Sequence, residues 1–579
     1  MENWETVYEK WNTYEQLDPS LRSELDTLAG NRATLEDAFY KELTFGTGGM
    51  RGVMGAGTNR MNTYTIRKAV NGLAEYLFAN RVNVKDRGVV IAYDTRYKSQ
   101  EFAIETARVL GAHGIKAYVF ESMRPTPLLS FAVRYLGTAA GVMITASHNP
   151  PEYNGFKVYN EDGGQITPSE AEAIIETIGE TENELTVAAL ETGELESRDL
   201  LIWRGEEIDN AYLEQLKQMS KLPEAELNEE KKLPIVFTPL HGTAYDLVMK
   251  GLDQLNFSQV DVVKDQAEPD PEFSTVDSPN PEEHQAFTLA IEQGEKNDAA
   301  ILLGTDPDAD RLGVAVKNKE GDYQVLTGNQ LGVLLLDYIL RHSDPVMHKS
   351  AHVLKTVVTT EMGRAVADAY DVETTETLTG FKYIGEKIHE FDATGKSFIF
   401  GFEESYGYLI SSFVRDKDAV QAAAMSCEMA YYWDKQGKTL LDALDTLYAQ
   451  HGYFQEGMTS LTLKGKEGSE QIEHIMADIR SNPLESIAGF QVEQAEDYLA
   501  GERTMMASGE TESIQLPKEN MMKFILEGES WVCLRPSGTE PKIKCYYGVR
   551  GETEERARVK LAALKSAMDQ VIGRIIHSA

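Results

Sequence analysis

Apolar residues recur every three or four positions across residues 1–45, the spacing of helices that bury one face. A different pattern follows and is met three times. VVIAYD (89–94), a helical EFAIETARVLGAHG, IKAYVF, a helical PTPLLSFAVRYLG and AAGVMIT (139–145) make the first run. PIVFT, AYDLVMKGLDQLN, VDVVKD, EEHQAFTLAIEQ and AAILLGT (299–305) make the second. AHVLKTVVTT, GRAVADAYD, VETTETLT, FKYIGEKIHEF and SFIFGF (397–402) make the third. Each reads strand–helix–strand–helix–strand. Continuous apolar strands alternating with helices predict mainly parallel sheets covered on both faces. No residue-level repeat accompanies the pattern, so the likeness of the runs is architectural. The last stretch differs: WVCLR (531–535) and KIKCYYGV (542–549) predict a strand pair, and TEERARVKLAALKSAMDQVIGRI an amphipathic helix, together a small α+β domain.

The chain has 579 residues, enough for three or four domains at roughly 150 residues each. Acidic, Pro-containing stretches, ETENELTVAALETGELESRD and KLPEAELNEEKKLP, predict connections near residues 200–230, with shorter ones near 325 and 450.

Hydrophobic residues are 42% and charged residues 26%, ordinary for a globular protein. Lys and Arg number 56 against 93 Asp and Glu, a net charge of −37. Such a field disfavours nucleic acid and anionic membranes as partners; an anionic substrate would need positive charge gathered locally. The three cysteines, Cys427, Cys533 and Cys545, form no C-x-x-C pair, which leaves neither a zinc ribbon nor a disulfide framework. MENWETVYEKW lacks the basic and apolar regions of a signal peptide, and GVLLLDYIL is about half a membrane span. A cytoplasmic protein is expected.

Ligands of open α/β sheets bind beyond the carboxyl ends of the strands, so the loop after each third strand carries the candidate chemistry. In GTDPDADRLG, Asp306, Asp308 and Asp310 alternate with Pro307 and Ala309. Carboxylate oxygens suit a hard cation such as Mg²⁺. An EF-hand is excluded, because Arg311 stands where its glycine belongs and Lys317 where its last glutamate belongs. A solvated acidic turn is the competing reading. In TASHNPPEYNGFKVY, Ser147 stands just past a buried strand in a loop stiffened by Pro150 and Pro151, as a nucleophile could. His148 adjoins it, but neighbouring side chains generally diverge. Lys157 could be folded back by a turn at Gly155. GFEESYGY offers Glu403, Glu404 and Ser405 for sugar hydroxyls, or is a surface loop.

RPSGTEPKIK offers the Arg535 fork, the hydroxyls of Ser537 and Thr539, Gly538 for close backbone approach and Lys542, a phosphate cradle without a Walker sequence; a plain hairpin turn is the alternative. GTGGMRG (46–52) holds Arg51 in a glycine-rich segment without the Lys-Ser/Thr of a P-loop. TLTGFKYIG supplies Thr379 and Lys382, and RDKDAV supplies Lys417; alone, each lysine reads as a solvated surface residue.

Taken in order, GTGGMR, TASHNP with YNGFKVY, DPDADRLG, TGFKYIG, GFEES, the KD at 417–418 and RPSGTEPK resemble the α-D-phosphohexomutase superfamily, most closely its phosphoglucomutase branch, which also contains phosphopentomutases. The resemblance spans residues 46 to 542. It implies an α/β fold of four domains around a central cleft, three with related mixed or parallel βαβαβ sheets and a smaller α+β C-terminal domain. The expected boundaries are 1–205, 206–325, 326–455 and 456–579. It implies that Ser147 carries a phosphoryl group, that Asp306, Asp308 and Asp310 hold one Mg²⁺ with Ser147 as a further ligand, and that Glu403 and Ser405 contact the sugar. Thr47, Thr379 and Lys417 belong to the expected binding set, and Arg535, Ser537, Gly538, Thr539 and Lys542 hold the phosphate that is not reacting. Two departures stand out: Gly48 where relatives usually have Ser or Ala, and Phe402 and Tyr406 around the sugar loop.

The implied reaction interconverts glucose 1-phosphate and glucose 6-phosphate, with glucose 1,6-bisphosphate as intermediate and activator. A phosphoserine of about −2 beside three aspartates gives about −5, and Mg²⁺ leaves about −3, so cations are still needed. Arg51, Lys157 and Lys382 are the candidates. Lys157, assisted by Arg51, or else His148, would be the general acid/base. Phosphopentomutase activity is the nearest alternative, and a non-catalytic phosphosugar-binding protein the alternative of another class. A monomer or weak dimer acting on small sugar phosphates is expected.

Overall fold

In a computed structural model, residues 3–463, 465–537 and 542–578 are described. The chain forms two compact units, Met1–Leu331 with Phe381–Thr439, and Gly332–Gly380 with Leu440–Ala579.

The first unit begins with helices Trp4–Thr13, Pro19–Leu28 and Arg32–Phe39. Asn3, Asp18 and Asn31 accept backbone N–H bonds at their starts, satisfying donors that a helix end leaves open. Their apolar faces close around Trp11, which is fully buried edge-on to Phe39 and Tyr64. A seven-stranded sheet follows, in the order Phe45–Gly46, Gly49–Val53, Tyr153–Tyr159, Ala140–Ile144, Val89–Tyr93, Ala117–Phe120, Leu201–Arg204. The last four are parallel neighbours. The strands of the first run match the apolar segments read from sequence. Tyr153–Tyr159 is different: it runs antiparallel to both Ala140–Ile144 and Gly49–Val53.

A five-stranded sheet of the same unit runs Tyr323–Val325, Leu312–Lys317, Ile301–Thr305, Ile235–Thr238, Val260–Val262. Its three last strands are parallel, and Leu312–Lys317 again turns back antiparallel. Ser397–Glu403 and Gly407–Leu409 form a further antiparallel pair, followed by the helix Ala419–Asp434, which is buried along most of its length.

Sequence and structure differ at several places. Each loop after a third strand ends in an antiparallel strand, which takes up the whole second half of TASHNPPEYNGFKVY and the last two residues of GTDPDADRLG and GFEESYGY. The expected connection near 200–230 holds the edge strand Leu201–Arg204 and the helix Glu206–Gln218; Leu200, Leu201, Ile208 and Tyr212 are buried despite the acidic surroundings. GTGGMRG is a strand edge rather than a linker. VDVVKD ends as a strand at Val262, and the helix expected from Glu282 begins at Thr288 after a single 3₁₀ turn, His284–Phe287.

The second unit contains the parallel pair Ala351–Thr356 and Glu373–Thr377 and the helices Met362–Ala369 and Leu440–His451. Its C-terminal part is an antiparallel sheet in the order Tyr453–Thr462, Lys542–Gly551, Ser530–Pro536, Met522–Leu526, Phe490–Asp497, Glu502–Met505, Thr511–Ser513. Helices Gly465–Ser481 and Glu554–Ser578 supply apolar side chains to its core. The expected strand pair and final helix are both present.

Candidate active site

The strand Ala140–Ile144 delivers Ser147 in a tight turn. Ser147 takes a left-handed backbone, φ 51°, uncommon for a residue with a side chain. Its N–H is bound by Thr145 Oγ1 at 2.8 Å. The hydroxyl donates to Asp306 Oδ2 at 2.6 Å, so the predicted nucleophile and the acidic triple meet although 159 residues apart. His148 does not diverge as expected: its Nδ1 lies 3.1 Å from Ser147 Oγ, because the left-handed turn swings both side chains to one side. Burial, with Arg311 nearby, pushes the His148 pKa down to about 3, so this imidazole is neutral at physiological pH.

Asp306, Asp308 and Asp310 are all buried, and one oxygen from each falls within 4.8 Å of the others. Asp306 Oδ1 accepts the N–H groups of Asp310 and Arg311, both at 3.0 Å. Thr126, at the start of the helix Thr126–Leu136, donates its N–H to Asp308 O at 2.9 Å and its hydroxyl to Asp308 Oδ2 at 3.0 Å. Among the described residues Asp308 Oδ1 and Asp310 Oδ1 accept no hydrogen bond. Buried carboxylate oxygens without donors are costly, and a divalent cation with oxygen ligands satisfies such a set. The residues therefore fit a metal of that class.

Lys157 stands on Tyr153–Tyr159, not on a turn. Gly155 is inside the strand, where a Cβ would meet Thr145 O at 2.4 Å. The Lys157 ammonium lies 2.8 Å from Asp308 Oδ2 and 3.5 Å from Asp310 Oδ2. Burial works against its charge, but those carboxylates prevail and raise its pKa. Burial also opposes ionisation of Asp308, yet Lys157 holds it low; Asp306 is driven the other way by burial and by its neighbours Asp310 and Asp308. Lys417, read from sequence as a surface residue, is half-buried and paired instead: its Nζ is 3.2 Å from Asp310 Oδ2 and 3.8 Å from Glu403 Oε1. Burial is again outweighed, by Asp310 and Glu403, and its pKa rises. Gly407 makes room for this pair, since a Cβ there would meet Glu403 Oε1 and Lys417 Cδ, both at 2.7 Å.

Arg51, on Gly49–Val53, is exposed and donates to Asn149 Oδ1 at 2.7 Å, with Asp308 and Asp310 attracting its charge. Lys382 Nζ donates to Thr47 O at 3.2 Å, joining two predicted binding residues. Glu403 is buried and Ser405 half-buried beside this group. The first unit thus gathers Arg51, Lys157, Arg311 and Lys417 around Asp306, Asp308, Asp310 and Glu403. Arg311, which pairs with Glu282, was missed in sequence although it adjoins the acidic motif. Thr126, Asn149 and Arg96 were also missed; Asn149 stands inside the TASHNP motif, two residues past Ser147, whereas no local signal links Thr126 or Arg96 to the site.

The second unit carries the remaining predicted residues. The Thr379 hydroxyl is buried there and, among the described residues, makes no hydrogen bond. Arg535 Nε donates to Glu519 Oε1 at 2.6 Å; the Ser537 N–H donates to Lys542 O at 2.7 Å. Gly538 and Thr539 lie outside the described residues.

Comparison with known proteins identifies the family. Descriptions of phosphoglucomutase/phosphomannomutase alpha/beta/alpha domains I, II and III match residues 42–185, 210–321 and 327–451, and that of the C-terminal domain matches 482–566. The chain belongs to the phosphoglucomutase/phosphomannomutase family. It is 40% identical over 533 residues to a phosphoglucomutase of Staphylococcus aureus strain bovine RF122 / ET3-1, covering 91% of this chain and 93% of that one. A phosphoglucomutase of strain MRSA252 is 40% identical over 519 residues, covering 89% and 91%. Among solved structures, parafusin, a phosphoglucomutase of Paramecium in an open form, superposes with TM-score 0.68 at 17% identity over 93% of this chain and 96% of its own. A phosphoglucomutase/phosphomannomutase family protein of Burkholderia thailandensis gives 0.66 at 18% over 92% and 97%. These two likenesses bear on the fold alone.

As a member of this family the chain is a phosphohexomutase, an isomerase of sugar phosphates with a candidate acidic site for a divalent metal. No helix among the described residues is long and apolar enough to cross a membrane.

Proposed function

We propose that this chain interconverts α-D-glucose 1-phosphate and glucose 6-phosphate by passing one phosphoryl group through Ser147. The observation that carries the reading is the 2.6 Å contact of Ser147 Oγ with Asp306. It puts an activated hydroxyl against a carboxylate trio fit for a cation.

Phospho-Ser147 is the resting donor. The free hydroxyl of the bound sugar phosphate takes its phosphoryl group: the P–O bond to Ser147 breaks, a P–O bond to the sugar forms, and glucose 1,6-bisphosphate results. The proton lost by the sugar hydroxyl ends on Ser147 Oγ. Lys157 relays it, giving a proton to Ser147 and recovering one from the sugar, with Arg51 assisting. After the bisphosphate turns over, the same steps in reverse return its other phosphoryl group to Ser147. Phosphoryl transfer relies on positioning and charge stabilisation more than on covalent chemistry. Asp306, Asp308 and Asp310, with the phosphoserine, would hold Mg²⁺, which when bound supplies positive charge to the phosphoryl oxygens. His148, neutral and 3.1 Å away, orients the Ser147 hydroxyl.

Glu403, Ser405 and Lys417 take the sugar hydroxyls in this reading, and Lys382, Thr47 and Thr379 complete the sugar side. Arg535, Ser537, Gly538, Thr539 and Lys542 take the distal phosphate. Four domains, bounded near 205, 325 and 455, and a cytoplasmic setting complete the proposal. The test is conversion of glucose 1-phosphate with Mg²⁺ and catalytic glucose 1,6-bisphosphate, run beside ribose 1-phosphate. Ser147→Ala is expected to abolish turnover; full activity in that variant sinks the nucleophile assignment, and a higher kcat/KM for ribose 1-phosphate sinks the hexose assignment.

A further inference from the structure

Arg96 occupies an unusual position for a residue that faces no substrate. It follows the strand Val89–Tyr93, and its side chain is fully buried. Both terminal nitrogens are spent on one short segment. Nη1 donates to Pro150 O at 2.7 Å and Tyr153 O at 3.1 Å. Nη2 donates to Ser147 O at 2.6 Å and also to Asn149 O. Nε has no hydrogen-bond acceptor among the described residues and lies 3.5 Å from Asp94 Oδ2. The guanidinium thus spans the whole turn from Ser147 to the start of Tyr153–Tyr159, and it grips backbone carbonyls only.

A second observation concerns what covers it. Phe273, from the segment that follows Val260–Val262 in the second sheet's run, lies with its ring 5.0 Å from the guanidinium carbon. Phe273 is 1% exposed and left-handed, φ 51°. A bulky residue in that region costs on the order of 1–3 kcal/mol and persists only when its surroundings impose it. They do: Asp270 accepts the N–H groups of Glu272 and Ser274, each at 2.9 Å, and His241 Nε2 is 2.8 Å from Thr275 Oγ1. Two residues past His241, Thr243 donates its N–H to Pro307 O at 2.8 Å, inside the acidic turn. The cap on Arg96 is therefore tied to the same turn that carries Asp306 and Asp308.

We propose that Arg96 is the positioning residue for Ser147 and that Phe273 is the cap that fixes Arg96, so that the nucleophile turn is set against the acidic turn. The proposal rests on Ser147 being the phosphoryl carrier. A lysine at 96 has three N–H groups on one nitrogen and cannot span four carbonyls set along seven residues. A displacement of about 1 Å at reacting atoms costs about 10²-fold in rate.

The test uses the full chain with Mg²⁺ and compares wild type, Arg96→Lys, Phe273→Ala and Ser147→Ala. Three readings are taken: kcat and KM for glucose 1-phosphate, phosphoryl content of Ser147 by intact mass and peptide mapping, and hydrogen exchange of residues 146–153. Arg96→Lys is expected to lower kcat about a hundredfold and Phe273→Ala about tenfold, with KM within about threefold. Exchange should quicken across 146–153 while Val89–Tyr93 keeps its protection. The Phe273 variant carries the test if Arg96→Lys fails to fold. Wild-type kcat in both variants overturns the proposal, as does a loss matched by raised KM or by lost protection throughout the sheet. A wild-type chain that takes no phosphoryl group on Ser147 overturns the underlying reading as well; one that does, beside an unaffected Arg96→Lys, overturns this proposal alone.

Discussion

Lys157 is, beside Lys417, a counter-ion of the acidic turn, and its removal can be worked through. At an effective dielectric of about 20, two unit charges attract by about 6 kcal/mol at 2.8 Å and about 5 kcal/mol at 3.5 Å. Desolvation of the ammonium and the carboxylates offsets much of that sum. Breaking one partner from a buried pair leaves a net loss of about 3–5 kcal/mol. Lys157→Met keeps an unbranched side chain of similar length and removes the charge together with its N–H donors. In EDTA the variant should therefore lose about 3–5 kcal/mol in the first unfolding transition. Added Mg²⁺ gives the orphaned carboxylates a new partner, and it no longer has to displace an ammonium. At least half the loss should return at 10 mM Mg²⁺, and the calorimetric Kd for Mg²⁺ should tighten at least about tenfold, worth about 1.4 kcal/mol. Turnover should fall about 10²–10⁴-fold, the range of a lost general acid/base. Equal Mg²⁺ affinity and equal Mg²⁺ stabilisation in the two proteins would refute the idea that Lys157 holds the metal's place.

Asp418 caps the helix Ala419–Asp434 and accepts the Tyr212 hydroxyl at 2.9 and 2.7 Å. Burial raises its pKa from 3.8 to about 6. The folded state therefore binds the extra proton between those values, so this group's contribution to stability falls as pH rises from 4 to 6 and is level above. Asp418→Asn should accordingly be more stable relative to wild type at pH 7.5 than at pH 4.5 by about 2 kcal/mol, as read from denaturant midpoints; no change in that difference defeats the argument. In the second unit, Lys355 is fully buried with Glu361 and Glu376 each at 2.9 Å. Lys355→Met should cost about 3–5 kcal/mol, with little change in the Mg²⁺ affinity of the first unit; a stability equal to wild type contradicts it.

The sheets were legible where strands are apolar throughout: VVIAY and ILLGT announce themselves because both faces are covered. The antiparallel return Tyr153–Tyr159 was not, because Asn154 and Lys157 are polar residues serving a buried site rather than marking a surface. Lys417 misled for the same reason, since nothing in its neighbourhood says that Asp310 and Glu403 will enclose it. Lys355, in the middle of AHVLKT, could have been noticed as a charge inside an apolar strand. The Ser147–His148 contact depends on one left-handed residue, which local sequence does not disclose for serine. Arg96 could not have been assigned at all: the carbonyls its terminal nitrogens bind lie more than fifty residues away and are backbone atoms that bear no sequence signature.

The most direct measurement follows the phosphoryl group itself. Protein carrying isotopically labelled phosphate on Ser147, recognised by its added mass of about 80 Da, is mixed with one equivalent of unlabelled glucose 1-phosphate and Mg²⁺ and quenched on the millisecond scale. The account requires the label to leave Ser147 and appear in glucose 1,6-bisphosphate at a rate no slower than kcat. Product formed while the label stays on the protein would contradict it.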